Sequence, residues 1–273
     1  MYTAFAQVYD ELMKDVNYIA WADFYGQMMA YYGLRSGKIV ECACGTGNLT
    51  LPLYQKGYSI TGIDISAEML WEASKKARKA GMQIPFVRQD MCALRLHRAM
   101  DAVLCTCDGV NYLTSLKQVK AFFTAAYQAL RPGGCLFFDI STPYKLSHLL
   151  GNNLLWEDTE KYSYAWDNTF DEEKSLIEMN LAIFEKNQEG LYRRIDEHQI
   201  QRAHQFEELE KLLIETGFAQ IACYGDRHMD VPSLKEQRWH IAARKPADPS
   251  LYAKQEQDYY LKQNSLYYHG GNR

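Results

Sequence analysis

The segment Lys38-Ile39-Val40-Glu41-Cys42-Ala43-Cys44-Gly45-Thr46-Gly47-Asn48-Leu49-Thr50 runs from apolar residues straight into small ones. Lys38 to Ala43 reads as a buried strand, and a helix starts near Leu49. Small residues between the two let the backbone approach a ligand and point the helix N-terminus at it. A dinucleotide frame, Gly-x-Gly-x-x-Gly or Ala, would put Thr50 where close helix packing wants a smaller residue. A second frame, acidic-x-small-x-Gly-x-Gly, is filled by Glu41, Ala43, Gly45 and Gly47. Taken alone, the segment also fits a plain glycine turn with no ligand.

Outward from this segment, short apolar runs alternate with longer amphipathic ones as far as Lys245, the pattern of strand and helix units around a parallel sheet. Further strands are expected at Ser59 to Ile63, Ile84 to Arg88, Ala102 to Thr106 and Cys135 to Ile140. Ser66 is placed to cap a helix that runs to Lys79 and stops at Gly81; Ser115 is placed to cap another ending at Arg131-Pro132-Gly133-Gly134. After Pro143 the order changes. Trp156 to Trp166, Lys174 to Lys186 and Leu191 to Arg202 read as three strands of an antiparallel insertion over one edge of the sheet, with Asn187-Gln188-Glu189-Gly190 as a hairpin turn. A helix from Gln205 to Thr216, stopped by Gly217, and strands near Gln220 to Tyr224 and Arg238 to Ala243 complete the series. The expected fold is α/β, a doubly wound seven-stranded mostly parallel sheet with an antiparallel β cap. Residues 35–143 and 203–245 are its core, 144–202 the cap, 1–34 a helical lid, and 246–273 a tail carrying Tyr252, Tyr259, Tyr260, Tyr267 and Tyr268.

The second strand ends in Gly62-Ile63-Asp64-Ile65-Ser66, where the Asp64 carboxylate can accept both hydroxyl protons of a ribose. From about Tyr2 to Lys245 the sequence resembles the class I S-adenosylmethionine-dependent methyltransferases. The resemblance also rests on Val87-Arg88-Gln89-Asp90-Met91 and on Cys107-Asp108-Gly109-Val110-Asn111-Tyr112-Leu113, which is similar to the family's Asp-Ser-x-Asn-Tyr-Leu. Leu130-Arg131-Pro132-Gly133-Gly134 and the N-terminal Tyr2-x-x-Phe5-Ala6-x-x-Tyr9-Asp10, a feature of the small-molecule members, extend it. It implies a Rossmann-like fold, S-adenosyl-L-methionine as cofactor and methyl transfer to a small-molecule amine or hydroxyl. It further implies cofactor contacts from Tyr9, Trp21, Glu41, Ala43, Gly45, Gly47, Asp64, Ile65, Asp90, Met91 and Cys107, with Asp90 on the adenine amino group and the next backbone amide on the ring. Asp108 and Tyr112, at the mouth of the fourth core strand, are the candidate catalytic groups, positioned to assist proton removal from an acceptor. Two residues depart from the family pattern: Ala43 replaces its usual first glycine and Gly109 its usual serine.

Composition bounds the partners. With 273 residues, 47% hydrophobic and 23% charged, the chain has the make-up of a folded domain plus an insertion. Thirty Lys and Arg against 34 Asp and Glu give a net charge of −4, so no global basic field draws in a phosphate backbone. DNA is not expected as a partner. RNA methylation and a non-catalytic S-adenosylmethionine-binding regulatory role stand as alternatives. Glu157, Asp158, Glu160, Asp167, Asp171, Glu172 and Glu173 make the cap acidic, a pattern that fits a plain solvated face and would also suit a cationic or amine acceptor. No run approaches the roughly 20 apolar residues of a membrane span, and no export signal is read at the start, so a cytoplasmic protein with seven free thiols is expected. Cys42, Cys44, Cys105 and Cys107 end two neighbouring strands without a usual zinc spacing, and no metal is expected. The aromatic tail and cap would suit a homodimer.

Overall fold

A computed structural model describes residues 3–233 and 235–248. The tyrosines of the expected tail and Tyr2 of the N-terminal motif lie outside the described residues. The core strands are β1 (Lys38–Cys42), β2 (Ser59–Asp64), β3 (Phe86–Arg88), β4 (Met100–Cys105), β5 (Leu130–Ser141), β10 (Ala219–Tyr224) and β11 (Arg238–Arg244). They form one sheet in the order β10-β11-β5-β4-β1-β2-β3, with β11 antiparallel to both neighbours and the pairs from β5 to β3 parallel.

Successive side chains of a strand point to opposite faces, and here both faces are covered, which is why these strands read as unbroken apolar runs. Ile39, Leu104 and Phe137 join one core with Trp21, Phe24, Tyr25 and Met28 of α2 (Tyr18–Tyr31). Val40, Val103 and Phe138 join the other with Val119 and Phe122 of α5 (Leu116–Ala129) and Leu209 and Leu213 of α6 (Phe206–Thr216).

The helix boundaries follow from local chemistry. Ser66 Oγ accepts the Met69 amide at the start of α4 (Ala67–Lys79), and Gly81 follows its end at φ +69°. Ser115 and Gln118 form a reciprocal capping box on α5, and Gly217 ends α6 in the left-handed conformation at φ +108°.

The insertion is a four-stranded antiparallel meander, β6 (Leu154–Asp158), β7 (Tyr162–Asp171), β8 (Leu176–Lys186) and β9 (Tyr192–Arg202). The single strand expected from Trp156 to Trp166 is in fact broken at Thr159, whose hydroxyl accepts the Tyr162 amide and donates to its carbonyl, closing a turn with no glycine or proline. The cap does not lie over a sheet edge either. It stands over the carboxyl ends of the central strands, where Asn111 Nδ2 donates to the Arg202 carbonyl at 2.9 Å and the Tyr112 hydroxyl to Gln199 Oε1 at 2.8 Å. The two helices of the N-terminal segment have different seats. While α2 belongs to the core, α1 (Thr3–Leu12) packs Phe5, Ala6 and Val8 against Tyr162, Ile183 and Ile195 of the cap.

Candidate functional site

The chain reverses its direction of winding at β1, which is hydrogen-bonded to β2 on one side and β4 on the other. A crevice opens outside the carboxyl ends of the strands at such a point. Here it holds a cavity of about 480 Å³, within the range of small-molecule sites. Its walls are the loop after β1, the ends of β2 and β4, the turn after β3, α1 and the β9 side chain Gln199.

The loop after β1 turns by alternation: Ala43, Gly45 and Gly47 have φ of +52°, +53° and +76°. These are the three small positions of the acidic-x-small-x-Gly-x-Gly frame. A Cβ on Gly45 would meet nothing within 4 Å, because that side faces the cavity. A Cβ on Gly47 would lie 3.2 to 3.3 Å from Ala73, Leu51 and Phe86, so Gly47 packs the loop against α4 and β3 and does not line the cavity.

Two carboxylates frame this loop. Asp64 Oδ2 accepts the Gly45 amide at 2.8 Å and Oδ1 the Ser66 amide at 2.9 Å, which fixes the carboxylate's plane and leaves a lone pair on each oxygen. Burial raises its pKa while those amides pull the other way. Glu41 is fully enclosed beneath the loop, accepting from Thr50 Oγ1 at 2.6 Å and Thr106 Oγ1 at 3.2 Å; burial pushes its pKa to about 7. On the far side Asp90 caps the short turn Met91–Ala93 through the Cys92 amide, and Asp90, Met91 and Ile65 all line the cavity.

The segment after β4 is held open by unusual backbone geometry. Cys107 and Asp108 are consecutive non-glycine residues at φ +54° and +65°, and their amides both donate to Asp139, at 2.8 and 3.1 Å. Arg238 bridges Asp108 and Asp139, and its guanidinium lies 4.9 Å over Trp21. Cys107 and Tyr112 are thereby presented to the cavity. Asp108 is not among its lining residues: its carboxylate accepts from Ser141 Oγ and Arg238, and against the effect of burial Arg238 and Lys145 hold its pKa low. Trp21 is also behind the wall, edge-on to His240 at 5.6 Å. Tyr9 lines the cavity from α1 and is buried enough that its pKa rises well above the usual tyrosine range.

The described residues contain no group of three or more His, Cys, Asp or Glu arranged to hold a metal ion, although Cys42 and Cys105 are register neighbours. Nor is any helix among them long and apolar enough to cross a membrane.

Comparison with known proteins agrees with this arrangement. The methyltransferase-domain family matches residues 39–134. A protein of Bacillus subtilis (strain 168), named "Putative methyltransferase YqeM", is 32% identical over 90% of this chain and 97% of its own length. The crystal structure of an S-adenosylmethionine-dependent methyltransferase from Clostridium acetobutylicum superposes with a TM-score of 0.81 at 31% identity, covering 90% of this chain and 99% of that one. The chain belongs to the class I S-adenosylmethionine-dependent methyltransferases. More distant structures, such as the sugar N-methyltransferase KedS8 from Streptoalloteichus, with a TM-score of 0.69 at 17% identity over 86% of this chain and 91% of that one, share the fold.

The cofactor of the family is S-adenosylmethionine, and the residues present fit it. The oriented Asp64 carboxylate suits a ribose diol, the open face of Gly45 accepts a close ligand, and Glu41 offers a negative group to an ammonium. Of the residues that the family resemblance implied, Tyr9, Glu41, Ala43, Gly45, Asp64, Ile65, Asp90, Met91, Cys107 and Tyr112 come together on the cavity, whereas Trp21, Gly47 and Asp108 stand behind it. Sequence reasoning missed Tyr18, Asn48, Met69, Thr106 and Gln199. Thr106 and Asn48 flank motifs already recognised and were within reach; Gln199, on a cap strand without any motif, had no signal.

Proposed function

We propose that the chain transfers a methyl group from S-adenosylmethionine to an amine nitrogen or hydroxyl oxygen of a small molecule enclosed between the core, α1 and the cap. The observation that carries this reading is the Tyr112–Gln199 hydrogen bond at 2.8 Å, by which core and cap together complete the cavity wall. S-adenosylmethionine, when bound, supplies a methyl group activated by its sulfonium, so the protein's task is to orient an acceptor and exclude water. Phe5, Leu49, Met69 and Leu113 provide apolar walls. With its proton given to Gln199, the Tyr112 oxygen accepts an N–H or O–H from the acceptor and directs the acceptor's remaining lone pair. An acceptor methylated there would lose its proton to solvent, with the carbon–sulfur electron pair of bound S-adenosylmethionine staying on sulfur. Asp108, paired with Arg238, acts by holding the segment that carries Tyr112.

The enclosure by α1 and cap favours a small molecule over RNA. Mass spectrometry of reactions with a panel of amines, alcohols and purified RNA tests this. Methylation of a small amine or alcohol is expected, and Tyr112→Phe lowers kcat/KM for it by about five- to tenfold through one lost hydrogen bond. Methylation confined to RNA, or to nothing at all, contradicts the reading.

A further inference from the structure

The glutamines Gln89, Gln118 and Gln199 line the cavity, and their side-chain amides are not equally engaged. Gln89 gives both ends to the Arg95 backbone, donating to its carbonyl at 3.2 Å and accepting its amide at 2.9 Å. Gln199 takes the Tyr112 hydroxyl. Gln118 is tied at one end only. Its Oε1 accepts the Ser115 amide at 3.2 Å, the Ser115 hydroxyl at 2.9 Å and the Thr114 hydroxyl at 3.4 Å. A backbone amide can only donate, so the atom facing it is the oxygen, and the side chain cannot turn end for end without losing the capping box. Thr114 and Ser115 do not line the cavity, whereas Gln118 does. Its Nε2 therefore keeps its N–H donors without a partner among the described residues.

The first turn of α5 lies against the turn that follows β3. Cys92 Sγ donates to the Gln118 carbonyl at 3.5 Å, and Asp90 caps that turn by accepting the Cys92 amide on Oδ1 at 2.8 Å. Asp90, Met91, Cys92, Leu113 and Gln118 thus share one end of the cavity. An adenine ring offers an amino group that donates and the ring nitrogens N1, N3 and N7 that accept. A carboxylate such as Asp90 suits the amino group, but the ring nitrogens need N–H donors. Gln89 and Cys92 have already given theirs, which leaves Gln118 as the side chain at this end with a donor to spare.

We infer that Gln118 is a further specificity-determining residue for S-adenosylmethionine, its Nε2 donating to a ring nitrogen of the adenine. The inference rests on the adenine standing at Asp90, as the family resemblance implies, and adds a donor from α5, an element outside the motifs that carry that resemblance. The same capping box that starts the helix holds the amide in one orientation, so the donor is in place before the ligand arrives and little side-chain freedom is lost on binding. A base that lacks the accepting nitrogen leaves this N–H unpaired, which is how the residue discriminates.

The test is calorimetric titration of the full chain, wild type and Gln118→Glu, with S-adenosylhomocysteine and its 1-deaza, 3-deaza and 7-deaza analogues, in each of which one ring nitrogen is replaced by C–H. Glutamate keeps an oxygen for the capping box, so urea unfolding of the variant is expected to match the wild type, yet it has no donor to put in place of Nε2. The added charge acts on the parent ligand and on the analogues alike, and the comparison among them removes its effect. The wild type is expected to bind at least one analogue about three- to tenfold more weakly than the parent, and that loss is expected to disappear in Gln118→Glu. If every loss seen in the wild type persists in the variant, the inference is overturned while the placement of the adenine stands. If the wild type binds all the analogues as tightly as the parent, the placement falls and the inference with it.

Discussion

Ala43 and Gly109, the two departures from the family pattern, meet across the cavity floor. A Cβ on Gly109 would lie 3.2 Å from the Ala43 Cβ and 2.6 Å from Cys105 Sγ, so the glycine makes room for the alanine. Ala43 itself occupies a left-handed conformation that disfavours a side chain by about 1 kcal/mol. Gly109→Ser is therefore expected to lose about 1 to 3 kcal/mol of stability by overpacking. Ala43→Gly should restore part of that loss, and urea unfolding of the two single variants and the double variant measures the coupling, expected at roughly 0.5 kcal/mol or more. Strict additivity would show that the two substitutions are independent. Glu41 gives a pH signature at the same scale. Its pKa rises to about 7 on folding from the ordinary 4.5, so the native state holds more protons than the unfolded one between those values, and this group's contribution to stability falls as pH rises through the window. Glu41→Gln should flatten that fall, which amounts to about 3 kcal/mol, in urea titrations at roughly pH 5 and pH 8. An unchanged pH dependence in the variant would place the titration elsewhere.

Among the elements, α1 is the one whose attachment bears directly on the cavity. Asp10 Oδ1 accepts from Thr46 Oγ1 at 2.6 Å and from Asn48 Nδ2 at 2.9 Å, while Lys76 of α4 donates to Asp10 Oδ2 at 2.6 Å. Two of these contacts fasten α1 to the loop after β1 and the third to α4. Lys76→Met is expected to loosen α1 by about 1 kcal/mol, seen as several-fold faster amide exchange in Phe5–Leu12 and faster S-adenosylmethionine release in stopped flow. Unchanged exchange in α1 would show that its apolar seat on the cap holds it alone. The elements also show what the sequence made legible. Core strands and capped helices were readable within a few residues because their signals are local: apolar runs, Ser66 and Ser115 at helix starts, Gly217 at a helix end. The β6–β7 turn was not, since Thr159-Glu160-Lys161 contains no glycine, proline, asparagine, aspartate or serine, and it is closed by the Thr159 amide and hydroxyl, which both reach the Tyr162 carbonyl.

Across the whole molecule, the site is assembled from positions far apart in sequence, and there the reading of motifs reaches its limit. The loop after β1, Asp64 and Asp90 are each local to one strand end, so the cofactor side could be read residue by residue. Trp21 was implied by the family resemblance and Asp108 by its place at the mouth of β4; their actual partner, Arg238, arrives on β11 after the whole cap has intervened. The acceptor side depends on where the cap stands, and that is fixed by Asn111 and Tyr112 reaching Arg202 and Gln199. The central claim is that one crevice, at the point where the sheet reverses, binds S-adenosylmethionine through Asp64. Calorimetric titration of S-adenosylmethionine into the wild type and Asp64→Ala tests it most directly. Saturable one-to-one binding to the wild type, weakened by about a hundredfold or more in the variant as its charged hydrogen bonds are lost, is the predicted result. Equal affinity in the two proteins, or no binding to folded wild type, would contradict it.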